Sequence, residues 1–173
     1  DILKMRGVPT PEYAVMDAAP EAMPFGLDFP LIVKPLREDA SVGIDSRAVV
    51  SSFKELRERV DFITKRYLQP AIVEEFIDGR EFNIAVLGNG VSKKALPPSE
   101  ILFVDFPEDK PKIICYEAKW VEESPLFMKT VPSCPAEVSD AMRAELQTIA
   151  LKAYGVLGCR DYARVDMRAG SDG

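Results

Sequence analysis

The chain contains no histidine. That absence removes Ser-His-Asp triads, Cys-His pairs and His-ligated metals from the chemistry these residues can supply. Cysteine is scarce too. Cys115, Cys134 and Cys159 are scattered, odd in number and free of any C-x-x-C spacing, so they read as reduced packing thiols rather than as a disulfide framework or a zinc site. No apolar run is long enough to span a bilayer and no signal-peptide pattern opens the sequence, so no membrane partner and a cytoplasmic location are expected. Basic charge is also short. With 22 Lys+Arg against 28 Asp+Glu the net charge is -6, the wrong sign for a general nucleic-acid binder. The phosphate-loop pattern G-x-x-x-x-G-K-S/T is missing, so any nucleotide must be held by another architecture. Lys, Arg and carboxylates are left to do the chemistry, on a 173-residue chain whose 47% hydrophobic and 29% charged residues are enough for one good core or two small ones.

What is present begins with Phe29-Pro-Leu-Ile-Val-Lys-Pro-Leu-Arg-Glu-Asp-Ala-Ser-Val-Gly43. Alternation puts Leu31 and Val33 on one face of a strand and Ile32 and Lys34 on the other, so an ammonium is carried by a rigid element. Pro35 stops the strand, and the loop that follows offers the Ser41 hydroxyl, backbone N–H groups and the permissive Gly43 for an anion. A Ser52-x-x-Glu55 capping box opens a helix whose Phe53, Leu56, Val60 and Ile63 form a buried stripe. Ala71 to Ile77 reads as a strand ending in Glu74 and Glu75, and Asp78-Gly79 turns it into a second strand from Glu81 to Gly88. Prolines break the middle of the chain into short strands and loops. Ser139 caps a long helix with Met142, Leu146, Ile149, Ala153 and Val156 inward, and Gly158 closes it.

The last strand, Cys159 to Met167, places Ala163, Val165 and Met167 on one face and Tyr162, Arg164 and Asp166 on the other. Arg164 and Asp166 are then about 7 Å apart along one face. Such a pair suits an oxyanion beside a hard cation, because Mg²⁺ takes one or two carboxylates together with phosphate oxygens and waters. An Arg/Asp pair on a solvated sheet face is the bland alternative. Paired acids at a strand end usually face water as well.

Taken in order, Ile32-Val-Lys-Pro35, Ser41-Val-Gly43, Val73-Glu-Glu-Phe-Ile-Asp-Gly-Arg-Glu81, Tyr116-Glu-Ala-Lys119 and Gly158-Cys-Arg-Asp-Tyr-Ala-Arg-Val-Asp166 resemble the ATP-grasp enzymes, in the D-alanine–D-alanine ligase-like branch. The resemblance covers nearly the whole chain. It implies an α+β ATP-grasp fold of two subdomains with antiparallel sheets clamping a nucleotide, here residues 1–77 and 78–173, the second one truncated. It also implies ATP and Mg²⁺ as cofactors, with a small-molecule carboxylate and amine as substrates joined through an acyl phosphate. Lys34 and Lys119 would contact the ATP phosphates, and Ser41, Val42 and Gly43 would belong to the loop closing over them. Glu74, Glu75, Phe76 and Ile77 would present polar groups to the adenine, with Glu81 on the ribose. Arg164 would be catalytic, stabilising the phosphorylated and tetrahedral species, and Asp166 would ligate the metal. A homodimer is consistent with the same resemblance.

Two departures bear on substrate. The family's first loop serine is Ala40 here, and its tyrosine after Glu-Ala-Lys is Trp120. Neither side chain can rebuild the hydroxyl hydrogen bonds around the first amino acid. A relative that joins other amino acids or small acids is therefore expected, with Trp120 shaping the acceptor pocket. The resemblance also implies a missing N-terminal substrate domain and a missing pair of metal ligands after the last strand, so the isolated chain is expected to turn over little. The competing reading is a nucleotide-binding or regulatory module without catalysis.

Overall fold

The structure, a computed structural model, describes residues 1–170. The last three positions of the expected 78–173 subdomain lie outside the described residues. The elements run α1 (Ile2–Met5), β1 (Tyr13–Met16), β2 (Leu31–Pro35), β3 (Val49–Val50), α2 (Phe53–Tyr67), β4 (Ala71–Glu75), β5 (Arg80–Leu87) and β6 (Lys94–Ala95). They continue through β7 (Ser99–Phe103), α3 (Tyr116–Trp120), α4 (Pro125–Met128), β8 (Thr130–Ser133), α5 (Asp140–Val156) and β9 (Tyr162–Ala169).

Contacts divide the chain into two compact units, and not by a single cut after residue 77. One unit, the lysine unit, gathers Pro11–Phe76 and Phe103–Thr130. Its sheet has the order β1-β4-β2-β3, with β4 antiparallel to both β1 and β2. Helix α2 lies on one face and is capped by Ser52, whose hydroxyl accepts from the Glu55 N–H at 3.3 Å. The Glu55 carboxylate accepts from the N–H of Ser51, one residue before the cap, at 2.7 Å, so the expected capping box forms only on its serine side. Leu56, Val60 and Ile63 then bury completely against Leu31, Val33 and Val73. The segment 103–130 joins this unit because its Ile113, Cys115, Ala118 and Leu126 cluster with Ala48, Ile32, Val49 and Phe76. That cluster draws off the apolar surface that alternation leaves on the second face of β2 and β3.

The other unit, the arginine unit, gathers Asp1–Thr10, Ile77–Leu102 and the chain from Val131 onward. Its sheet runs β6-β5-β7-β8, with β9 antiparallel along the length of β5. Phe82, Ile84 and Val86 are fully buried and pack with α5 through Leu146, Ala150 and Tyr154. The Ser139 cap forms as expected, accepting from the Met142 N–H at 3.2 Å. The buried stripe of α5 is rotated slightly, however: Leu146, Ala150, Ala153 and Tyr154 are buried, while Ile149 and Val156 are half-buried. Small alanines allow the close approach to the sheet. Gly158 ends the helix in the left-handed conformation, φ 66°. The following turn, with Asp161 also at positive φ, delays the last strand to Tyr162. Among the described residues no helix is long and apolar enough to cross a membrane.

Candidate active site

In the lysine unit, register places Ile32 opposite Glu74 and Lys34 opposite Ile72 on antiparallel neighbours. Lys34 and Glu74 are thus diagonal partners on one face, and they form an ion pair. Glu75 falls on the opposite face and is exposed, while Phe76 is half-buried in the cluster with Ile113 and Leu126. Of the two adjacent glutamates, only Glu74 shares the lysine's face.

Residues 40–43 after β2 take an unusual path, with Ala40, Ser41 and Gly43 all at positive φ (51°, 64° and 75°). At Gly43 a Cβ would lie 2.5 Å from Pro35 Cγ, so both backbone and space demand glycine. The loop is fastened at four points. Ser41 Oγ donates to the Ile114 carbonyl at 2.7 Å, the Tyr116 N–H donates to the Ile44 carbonyl at 2.8 Å, Trp120 Nε1 donates to the Ala40 carbonyl at 2.8 Å, and Arg59 Nη2 donates to the Gly43 carbonyl at 2.6 Å. Lys119 stands in α3, its Nζ 5.7 Å from the centre of the Trp120 ring. The middle of the chain was expected to hold only strands and loops. Helix α3 forms there because Cys115 caps it, its thiol accepting from the Ala118 N–H at 3.5 Å.

Arg59 was not anticipated. It is 4% exposed, pairs with Asp45 at 3.1 Å and lies over the Phe62 ring at 4.9 Å. Burial pulls its pKa down against the opposing pull of Asp45. Burial would raise the Asp45 carboxyl, but the charge of Arg59 and the hydrogen bonds from Arg47 and Arg59 outweigh it and hold Asp45 below its ordinary value. A signal existed in the sequence: Arg59 interrupts the α2 stripe between Leu56 and Val60.

In the arginine unit, the antiparallel register of β5 and β9 sets Glu81 opposite Arg168, Asn83 opposite Asp166 and Ala85 opposite Arg164. Residues directly opposite share a face. One face therefore carries Glu81, Asn83, Arg164, Asp166 and Arg168, and the other carries the Phe82, Ile84, Val86 core. Arg164 grips both oxygens of Asp166, at 2.6 and 2.9 Å, and Asn83 Nδ2 donates to Asp166 Oδ1 at 2.9 Å. The bond to Asp166 raises the already high Arg164 pKa, so this guanidinium is permanently charged. Arg168 donates to the Ile77 and Gly79 carbonyls at 2.7 and 2.9 Å and to Glu81 at 3.1 Å.

Among the described residues no three His, Cys, Asp or Glu side chains gather as a metal cage. Asp166 with the Asn83 amide is a sparse donor set. It suits Mg²⁺, which keeps waters and takes phosphate oxygens, better than a cation that needs an all-protein cage.

The profile of the D-ala D-ala ligase C-terminus family matches residues 2–173. The chain belongs to that family. A D-alanine–D-alanine ligase of Bordetella petrii is 34% identical over 168 residues, which are 96% of this chain and 47% of that protein. An uncharacterised protein of Sinorhizobium fredii is 34% identical over 172 residues, 99% of this chain and 48% of its own. The crystal structure of the Bacillus anthracis D-alanine–D-alanine ligase complexed with ATP superposes with a TM-score of 0.68 at 22% identity, over 98% of this chain and 48% of that one. The likeness establishes the α+β ATP-grasp fold expected from the sequence. The ligase-family chain spans about half the length of the curated relatives it matches.

Proposed function

We propose that this chain is the nucleotide-binding part of an ATP-dependent carboxylate–amine ligase of the D-alanine–D-alanine ligase type. The observation that carries the proposal is the polar face of β5 and β9 in a chain of this family. Arg164, Asp166, Asn83, Glu81 and Arg168 stand there in register on two rigid strands. Phosphoryl transfer asks for positioning and charge neutralisation rather than a protein nucleophile, which suits a site built without histidine.

In this reading Lys34 and Lys119 neutralise the ATP phosphates while Ser41, Val42 and Gly43 cover them. Residues Glu74 to Ile77 serve the adenine and Glu81 the ribose. The substrate carboxylate attacks the γ-phosphorus, ADP departs, and the resulting acyl phosphate is attacked at its carbonyl carbon by the amine, releasing phosphate and leaving an amide. Arg164 compensates the oxyanion that builds during both steps. Asp166, oriented by Asn83, would hold Mg²⁺, which supplies charge neutralisation at the phosphates. Both Glu74 and Asp166 are occupied by cations in the free protein, so Lys34 and Arg164 must exchange carboxylates for phosphate oxygens as the nucleotide enters. The Arg164–Asp166 pair is more than half exposed and contributes about 1 kcal/mol or less, so its exchange costs little, whereas Lys34 and Glu74 are half-buried and need the phosphate oxygens as direct replacements.

Trp120 changes the substrate argument. Its indole N–H reaches the Ala40 carbonyl, so a side-chain tie to the loop persists although the family's serine and tyrosine hydroxyls are both gone. We assign the altered pair to a first substrate other than D-alanine.

The test is phosphate release from Mg-ATP by the protein carrying this chain, across a panel of amino acids and small carboxylates that includes D-alanine. Release that requires one acid–amine pair, and falls about 100-fold or more in Lys34→Ala and Asp166→Asn, is the expected result. ATP binding without release for any pair would instead favour a regulatory nucleotide-binding module.

A further inference from the structure

Arg168 stands on the polar face of β5 and β9 but has no role of its own in the chemistry just described, yet its guanidinium is tied to the backbone that leads into β5. It donates to two main-chain carbonyls, Ile77 at 2.7 Å and Gly79 at 2.9 Å, and to the Glu81 carboxylate at 3.1 Å. These three acceptors lie within five residues of one another, on the turn that leads into β5. The fork of a guanidinium is what lets one side chain hold three diverging acceptors, and a lysine cannot reproduce it.

A second observation shows that this turn is pinned to the end of β9. At Gly79 a Cβ would stand 1.8 Å from the Ala169 carbonyl oxygen and 2.8 Å from its carbonyl carbon. No side chain can be accommodated, so backbone touches backbone beside the arginine. Arg168 is largely buried, which lowers its pKa from the usual guanidinium value, with Glu81 pulling the other way. The bonds to two carbonyls and a carboxylate compensate that desolvation. The carboxylate is that of Glu81, directly opposite Arg168 in the ladder.

We propose that Arg168 is a positioning residue for ribose recognition: it locks the Ile77–Gly79 turn and holds the Glu81 carboxylate in the orientation that accepts from the vicinal hydroxyls of the nucleotide sugar. An ionised carboxylate has about four acceptor directions, so a bond from Arg168 can fix its orientation while it still accepts from a sugar hydroxyl. A flexible glutamate on a strand would have to freeze its rotamers on binding, at about 0.5–1.5 kcal/mol. Arg168 makes that payment in advance. The inference deepens the nucleotide reading and rests on it.

The role predicts a signature that loss of stability alone does not produce, namely a change in sugar discrimination. The measurement is the dissociation constant of the protein carrying this chain for Mg-ATP and for Mg-3′-deoxy-ATP, in wild type, Arg168→Met, Arg168→Lys and Glu81→Ala, with thermal unfolding as a folding check. A hydrogen bond to a charged acceptor corresponds to about a tenfold preference for ATP in wild type. Arg168→Met is expected to reduce that preference to about twofold, as Glu81→Ala does. Should Arg168→Met not fold, Arg168→Lys carries the same test: it keeps the charge, gives up the fork, and is expected to keep only about a threefold preference. A preference that survives unchanged in the folded arginine variants, including one in which both nucleotides weaken equally, overturns the proposal while leaving the nucleotide reading intact. Absence of ATP binding in wild type overturns both.

Discussion

Arg59 and Asp45 show how one ion pair, a buried guanidinium with a half-exposed carboxylate, sets the shape of a loop. The guanidinium donates to the Gly43 carbonyl and to Asp45, so the backbone that turns through Gly43 is anchored to α2. Asp45 has a folded-state pKa below its ordinary value. A carboxyl lowered in this way adds stability that is complete above the unfolded pKa, near 3.9, and is lost as pH falls through the lower folded value. Asp45→Asn should therefore be less stable than wild type near pH 6, by under about 1 kcal/mol because the carboxylate is half exposed, and the gap should close as the pH drops below about 4. Urea midpoints taken across that range decide it, and two curves that stay parallel down to about pH 3 would rule the linkage out. The residues that were legible in the sequence, Lys34, Arg164 and Asp166, were legible because strand alternation separates polar from apolar positions. Arg59 was not. A helical stripe is recognised by its apolar members, and the one cation within it reads as an interruption until the loop that it neutralises is in view.

At the level of elements, β2, β4, β5, α2 and α5 were evident from periodicity and capping, whereas α3 and α4 were not. Each of those two helices is only four or five residues long, too short for a hydrophobic period to register. Their caps are a cysteine thiol and a serine before proline, and tertiary packing of Ala118 and Leu126 does the rest. The placement of Lys119 is a consequence of that packing, since the start of α3 is fixed by the Tyr116–Ile44 bond and its end by the Trp120–Ala40 bond. Loop 40–43 and α3 therefore form one device. Trp120→Phe keeps the ring beside Lys119 but removes the indole N–H, and it should loosen the loop without unfolding the unit. The amides of Val42 and Ile44, which donate to Asp39 and Ser41 within the loop at 3.0 Å, are the reporters. Their hydrogen exchange is expected to speed up about fivefold or more, given a net value of about 1 kcal/mol for the lost bond, while the amides of β2 and β4 stay as protected as in wild type. Equal acceleration in strands and loop would mean that Trp120 supports the whole unit instead.

On the scale of the molecule, the chain passes from one unit to the other more often than its motifs suggest. The resemblance implies a boundary after residue 77, where Asp78-Gly79 also reads as a turn. The later return of 103–130 to the lysine unit left no local mark. Its cause is apolar area: β2 and β3 have two faces to cover, α2 covers one, and no other helix lies between residues 11 and 76 to cover the second. Ile113, Cys115, Ala118 and Leu126 do so from a distance of some eighty residues in sequence. A contact this remote raises the entropy of closure only slowly with loop length, but it makes the fold of the lysine unit depend on a segment that follows β7. A polypeptide of residues 11–76 alone should accordingly collapse without becoming native, binding a hydrophobic dye and lacking a cooperative thermal transition, because Ala48 and its neighbours lose the partners that bury them. Joining 103–130 to it through a short glycine-serine linker should restore a cooperative transition and suppress the dye signal. If residues 11–76 unfold cooperatively without the second segment, the apolar cover supplied by Ile113, Cys115, Ala118 and Leu126 is dispensable, and the chain's return to this unit serves only to deliver Lys119 and Trp120 to the loop.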